Sequence, residues 1–436
     1  MDHTLIRYNG RNFEALAHRI MLEKLVADLN YPPSVLQLKF EYDRAIRGLV
    51  IDKIQGNVLK LNRHGAIRIS YHGLKAIEYS AQKNLYKSRY IDLGDPEFDT
   101  VDTTFSIAFA GLFAQLVELK DTTEATTLPT YDKLAVDLTR VLDRAHRDGS
   151  LKNVVAKNLA DYIIKDANVV SGLERFKKHG KKIFILTNSD YFYCKMLLDY
   201  AINPFLKEHK DWTQVFDFVI TLAQKPRFFI DNLPFLQIDP SDGKMSNLNG
   251  KITKGIYQGG CASTFTDSLG VAPDEILYIG DHIYGDIVRL KKDCAWRTAL
   301  VVEELQDEID NYHQAKPTTD QINTLMSQKL PLEIQLDQVI SEKIEKGVDS
   351  DTEISKLLQQ IGDIDHRISP LIRSQQRLFN PYWGEVMRVG IEESYFAYQV
   401  ERYACIYMSK LSDLFSMSPR TYFRSFKRPL AHELDI

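Results

Sequence analysis

Cysteine is scarce. Four residues in 436, Cys194, Cys261, Cys294 and Cys405, include no Cys-x-x-Cys pair, which argues against a zinc ribbon or a disulfide scaffold and fits a reducing compartment. No apolar run approaches the roughly 20 residues of a membrane helix. The start, Met1-Asp2-His3-Thr4, has neither the basic nor the apolar region of a secretory signal. A soluble, cytoplasmic protein with no membrane partner is expected. An excess of one charge is missing too: 55 Lys and Arg against 59 Asp and Glu leave −4, so no overall field favours nucleic acid. Repeats and low-complexity tracts are also lacking, which excludes solenoids and fibres.

What is present is an ordinary globular mixture, 44% hydrophobic and 26% charged. At roughly 150 residues per domain it makes two or three domains. Three short apolar runs each stop at a polar cluster. Ile183-Phe184-Ile185-Leu186 ends in Thr187-Asn188-Ser189, Phe218-Val219-Ile220 leads to Lys225-Pro226, and Ile276-Leu277-Tyr278-Ile279 ends in Gly280-Asp281. Such runs, separated by helical stretches, read as strands of a parallel sheet buried on both faces. Thr298–Val302 is the expected next strand. In such sheets chemistry gathers at the carboxyl ends of the strands, where Thr187, Lys225 and Asp281 would lie.

Around this α/β core the texture changes. Gly48–Asp52 and Val58–Leu61 flank a Gln55-Gly56-Asn57 turn and read as a hairpin within an inserted domain. Residues 160–180 read as a helix stopped by Gly180. Apolar stripes at helical spacing, Leu332 to Ile344 and Ile354 to Ile368, are split by Gly347-Val348-Asp349, with Ser350 and Glu353 as a capping box. A helical hairpin follows. It would pack on the core or on another subunit, and together with an aromatic, helical stretch at 380–430 it suggests a homo-oligomer.

Gly280-Asp281-His282-Ile283-Tyr284-Gly285-Asp286 places two carboxylates five residues apart after a strand. Mg²⁺ takes one or two carboxylates plus water and phosphate oxygens, and Gly285 would let the backbone turn so that Asp286 points back to the same site. A solvated turn with an Asp cap is the plainer alternative. Thr187-Asn188-Ser189-Asp190 would offer a hydroxyl and helix-opening N–H groups to a phosphate, or merely an N-cap. Lys225 would neutralise phosphate charge in a transition state, or simply face water.

The order strand-Thr, strand-Lys, strand-Gly-Asp-(x4)-Asp resembles the haloacid dehalogenase superfamily of phosphohydrolases. Met1-Asp2-His3-Thr4-Leu5 matches its first motif, Asp-x-Asp-x-Thr/Val, from the second position onward. With Leu186–Tyr191, Tyr257–Gly260, Ile276–Ile287 and Phe396–Tyr403, the chain is similar to the cytosolic purine 5′-nucleotidases, the branch preferring IMP and GMP.

That resemblance implies a Rossmann-like parallel core with an inserted α+β cap and C-terminal helices. Residues 1–18 would begin the core, 19–160 form the cap, 161–320 complete the core, 321–372 form the hairpin and 373–436 pack on the core. It implies Mg²⁺-dependent hydrolysis of purine nucleoside 5′-monophosphates through an aspartyl-phosphate, with transfer to a second nucleoside as a further outcome. The nucleophilic Asp is expected immediately before Met1, at the end of a strand, and the chain as written has neither. Asp2 would be the acid and base and would lend its carbonyl to the metal, with Asp281 and Asp286 completing the metal site. Thr187 and Lys225 would hold phosphoryl oxygens, joined by Asn188 and Ser189. Phe105 would stack on the purine, with Asp143, His146 and Lys152 lining the pocket. Without the resemblance, Phe105 reads as a core aromatic and Asp143 with His146 as a helix-face pair. Thr139, beside Arg140, stands where vertebrate enzymes carry Arg, so base selectivity would differ. The competing expectation is a non-catalytic nucleotide-binding scaffold of the same fold.

Overall fold

The computed structural model describes residues 1–424 and 431–433, except Ser88, Ala125 and Asn249. The chain forms a mixed α/β protein of two compact units, Met1–Glu303 with Val386–Ile436, and Glu304–Glu385.

The apolar runs of the larger unit become strands: β1 Phe184–Leu186, β2 Phe218–Thr221, β3 Phe235–Ile238, β4 Met245–Asn247, β5 Gly255–Gly259, β6 Leu277–Gly280, β7 Arg297–Val301 and β8 Ile406–Met408. They do not form one sheet. Five strands run in the order β4-β3-β5-β2-β1 and three in the order β6-β7-β8. β1, β2 and β5 are parallel, as are β6, β7 and β8, while β3 and β4 form an antiparallel extension. Interlocking aromatic rings fill the interior, with Phe265 edge-on to Phe218 at 5.4 Å and Phe229 edge-on to Trp296 at 6.2 Å. β8 comes from the segment expected to be wholly helical. Ile406, Tyr407 and Met408 are a short β-prone run whose backbone pairs with β7, while helices Tyr395–Tyr403 and Leu411–Ser416 flank it.

β1 and β6 are both edge strands, and between them lies a cavity of about 600 Å³. Phe184–Leu186 and Leu277–Ile279 line its sides; Leu173, Phe176, Leu414 and Phe415 also line it, as do Leu269 and Val271 and, at one end, Met1.

Before the core, Met1 begins a tight loop whose carbonyl accepts from the N–H groups of Thr4, Leu5 and Ile6. Five antiparallel strands follow within residues 50–100, in the order 75–76, 67–72, 57–61, 50–52, 98–100. The expected hairpin is there, Val50–Asp52 against Asn57–Leu61, with Gly56 turning at φ +70°. Helices Gly10–Leu29, Ile107–Thr122 and Tyr131–Arg147 pack together beside it. Buried Glu14 accepts from Ala108 N–H at 2.7 Å, serving the first turn of the second of these helices.

The helix Ala167–Lys178 is capped by Asp166, whose side chain accepts from Asn168 N–H, and ends at Gly180 with φ +79°. The smaller unit is an antiparallel pair, Leu305–Lys346 and Asp351–Gln376, joined through Gly347 at φ +69°. Leu325, Ile364 and Ile368 are buried between the two helices, whereas Ile344 is 78% exposed. Ser350 sits at the N-cap without a side-chain capping bond, so the Ser350–Glu353 pattern does not act as a capping box.

Gly172 lies mid-helix, and a Cβ there would come within 2.3 Å of the Phe415 side chain. Gly172→Ala would normally gain about 1 kcal/mol of helix propensity. Here we expect overpacking to dominate, lowering stability by about 1–3 kcal/mol in urea unfolding.

Candidate active site

Three strand ends and the Met1 loop meet in one polar cluster. After β1, Thr187 and Ser189 are buried, and both hydroxyls donate to Asp2 Oδ2, at 3.4 Å and 3.0 Å. Tyr8 donates to the other oxygen at 2.8 Å and itself meets the Tyr193 hydroxyl at 3.0 Å. Burial disfavours the charged Asp2 carboxylate, and the Tyr8 and Ser189 hydroxyls that donate to it favour it.

After β2, Lys225 donates from Nζ to Asp286 Oδ1 at 2.8 Å and to the Tyr278 hydroxyl at 2.9 Å. Both partners are largely buried, with side chains 13% and 5% exposed. Burial works against both charges, yet each stabilises the other: Lys225 titrates above its ordinary value and Asp286 below its own. Asn188 shapes this corner differently from expectation. Its amide accepts from Lys225 N–H at 2.7 Å and donates to Lys225 O at 3.1 Å, so its polar atoms fix the Lys225 backbone.

After β6, Asp281 is 7% exposed and accepts from Thr4 at Oδ1, 3.2 Å, and from Thr103 at Oδ2, 3.1 Å. Residues Ile283–Val288 form a turn of π-helix, a form common at functional sites. Gly285 does not supply the turn expected of it. It is not in the left-handed region, and a Cβ there would make ordinary contact with His282 at 3.4 Å. Gly280 is the glycine that matters: a Cβ there would fall 2.4 Å from Asp286 Oδ2. Asp286 reaches Lys225 only because position 280 has no side chain.

The residues expected around a base divide into three. Phe105 is edge-on to His3 at 4.4 Å and to His146 at 5.4 Å. Lys152 pairs at 2.7 Å with Asp190, the N-cap of the helix after β1. Asp143 is exposed and paired with Arg147 at 3.7 Å, within electrostatic reach of His146. Sequence reasoning missed Tyr8, Tyr193 and Tyr278, and also His3, stacked on Tyr8 at 4.7 Å and bonded to Glu303 at 3.1 Å. Tyr278 alternates with Ile279 along β6 and carried the one readable signal, a polar tip inside an apolar strand.

Asp281 and Asp286 supply oxygen donors only. Among the described residues, no three His, Cys, Asp or Glu side chains stand close enough to hold an ion by themselves. This donor set fits Mg²⁺, which keeps water and phosphate oxygens, and does not fit a closed four-ligand zinc cage.

The polar cluster lies at the carboxyl ends of the strands, where open α/β sheets bind their ligands. The chain matches the 5′ nucleotidase family over residues 1–435, and it belongs to that family. It is 26% identical, over its whole length, to a 5′-nucleotidase domain-containing protein of Dictyostelium discoideum, covering 72% of that relative. It is 24% identical to 5′-nucleotidase domain-containing protein 2 of Rattus norvegicus, covering 77% of it. Among the described residues no helix is long and apolar enough to cross a membrane.

Three outcomes are expected from unfolding measurements. Lys225→Met leaves a buried carboxylate without its cation and should cost about 3–5 kcal/mol. The double variant Lys225→Met/Asp286→Asn should lose less than the sum of its single variants. Gly280→Ala should displace Asp286 and reproduce much of the Lys225→Met effect.

Proposed function

We propose that this chain is a Mg²⁺-dependent nucleotidase of the haloacid dehalogenase type, releasing phosphate from purine nucleoside 5′-monophosphates, IMP and GMP among them. The observation that carries the reading is the convergence of Asp2, Thr187, Ser189, Lys225, Asp281 and Asp286 at adjoining strand ends.

In this reading the attacking carboxylate belongs to an Asp immediately before Met1, carried by a strand in the cavity between β1 and β6. Its oxygen bonds to phosphorus as the bond to the nucleoside 5′-oxygen breaks. Asp2 gives that oxygen a proton, then takes one from the water that attacks the aspartyl-phosphate. An incoming phosphate dianion raises the Asp2 carboxyl, because like charges disfavour ionisation, and so favours the protonated form needed for the first step. Thr187 and Lys225 face the phosphoryl oxygens, Lys225 exchanging part of its contact with Asp286 for substrate. Asp281, the Asp2 carbonyl and Asp286 would hold Mg²⁺, which neutralises charge on the phosphoryl group when bound. Phe105 and His146 supply a surface for the base, and Asp143 would have to turn inward from its pair with Arg147 to read it.

The test is phosphate release from IMP, GMP and AMP with Mg²⁺, comparing this chain with one extended upstream by an apolar strand ending in Asp. We expect turnover of IMP and GMP by the extended protein alone. Purine nucleotide binding without turnover by either protein would overturn the enzymatic reading in favour of a nucleotide-binding scaffold.

A further inference from the structure

Arg47 belongs to the segment preceding the antiparallel sheet, yet its side chain ends at the strand ends of the core. It is 1% exposed. One guanidinium nitrogen donates to Asp281 O at 2.9 Å and to Val301 O at 3.1 Å; the other terminal nitrogen donates to Thr104 Oγ1 at 2.6 Å. Those carbonyls stand at the carboxyl ends of β6 and β7. A single planar fork thus ties two neighbouring parallel strands at the edge that carries the chemistry.

Thr103, next to Thr104, acts on the same residue. Its hydroxyl donates to Asp281 Oδ2, while Thr4 donates to Oδ1. Asp281 is consequently held at three atoms, and two of the three restraints, on Oδ2 and on the main-chain carbonyl, come from the inserted region. The segments that bring them are joined by backbone bonds, Gly48 N–H to Val101 O at 2.8 Å and Val101 N–H to Leu49 O at 2.9 Å. Gly48 takes φ +87° there, and a Cβ on it would strike Phe396 at 2.5 Å. A buried guanidinium is costly unless its donors are satisfied, and lysine cannot substitute for it, because a point ammonium does not span two carbonyls and a hydroxyl in one plane.

We propose that Arg47 and Thr103 are positioning residues through which the inserted region sets the orientation of the Asp281 carboxylate for a divalent cation. The proposal rests on the Mg²⁺ reading of Asp281. Partners that orient a metal-binding carboxylate are worth 10–100-fold in affinity.

The experiment is calorimetric titration of Mg²⁺ alone, without nucleotide, into the full chain and its variants, with circular dichroism to confirm folding. Thr103→Val keeps the shape and removes the donor; we expect Mg²⁺ to bind about 10-fold more weakly or worse. Thr103→Ser restores the donor and should bind within about twofold of wild type, an outcome a purely steric role would not give. Arg47→Lys should weaken Mg²⁺ by a similar factor; if it does not fold, the Thr103 pair decides alone. Equal Mg²⁺ affinity in wild type and Thr103→Val overturns the positioning role while leaving the metal site standing. No Mg²⁺ binding by wild type overturns the metal reading of Asp281, and the positioning role with it.

Discussion

The buried ion pair of Lys225 and Asp286 holds the site together. Its partners come from different sheets, Lys225 from the end of β2 and Asp286 from the π-turn after β6, and no ladder of backbone bonds joins β1 to β6. Where such a ladder is missing, polar side chains tie the carboxyl ends of the two halves: Thr187 and Ser189 to Asp2, Thr4 to Asp281, Lys225 to Asp286. A buried pair of this kind contributes little net stability, since desolvation offsets attraction, but losing one partner is costly. Such a pair suits a site that must release a cation to an incoming anion and take it back.

Residues 47–146 contribute to the same network. Phe105 lies edge-on to both His3 and His146, while Thr103 and Arg47 fasten Asp281. A shift of this segment therefore changes both the surface proposed for a base and the carboxylate proposed to hold the metal. That coupling gives a physical route by which substrate binding in one region adjusts chemistry in another.

Much of this was legible in the sequence where local chemistry decides it. The runs at 183–186, 218–220, 276–279 and 298–302 hold the strands β1, β2, β6 and β7 because β-branched and aromatic residues suit a sheet covered on both faces, and Gly56 and Gly347 mark turns because they take positive φ. Asp281 and Asp286 were visible from their spacing after a strand. The role of Gly280 was not, because it arises from the approach of Asp286 in three dimensions. Tyr8, Arg47 and Thr103 reach the site through contacts spanning between 6 and 234 residues, and no periodicity records those distances. The strand Ile406–Met408 was hidden by helical, aromatic neighbours; pairing with β7 decided it, as tertiary context overrides propensity.

The phosphate site proposed at the joined strand ends is tested most directly by a crystal grown with Mg²⁺ and a phosphate mimic such as tungstate. The expected result is the anion within hydrogen-bonding distance of Thr187 and Lys225, with a metal on Asp281. An anion bound elsewhere, with the Lys225 to Asp286 contact unchanged and no metal on Asp281, would contradict it.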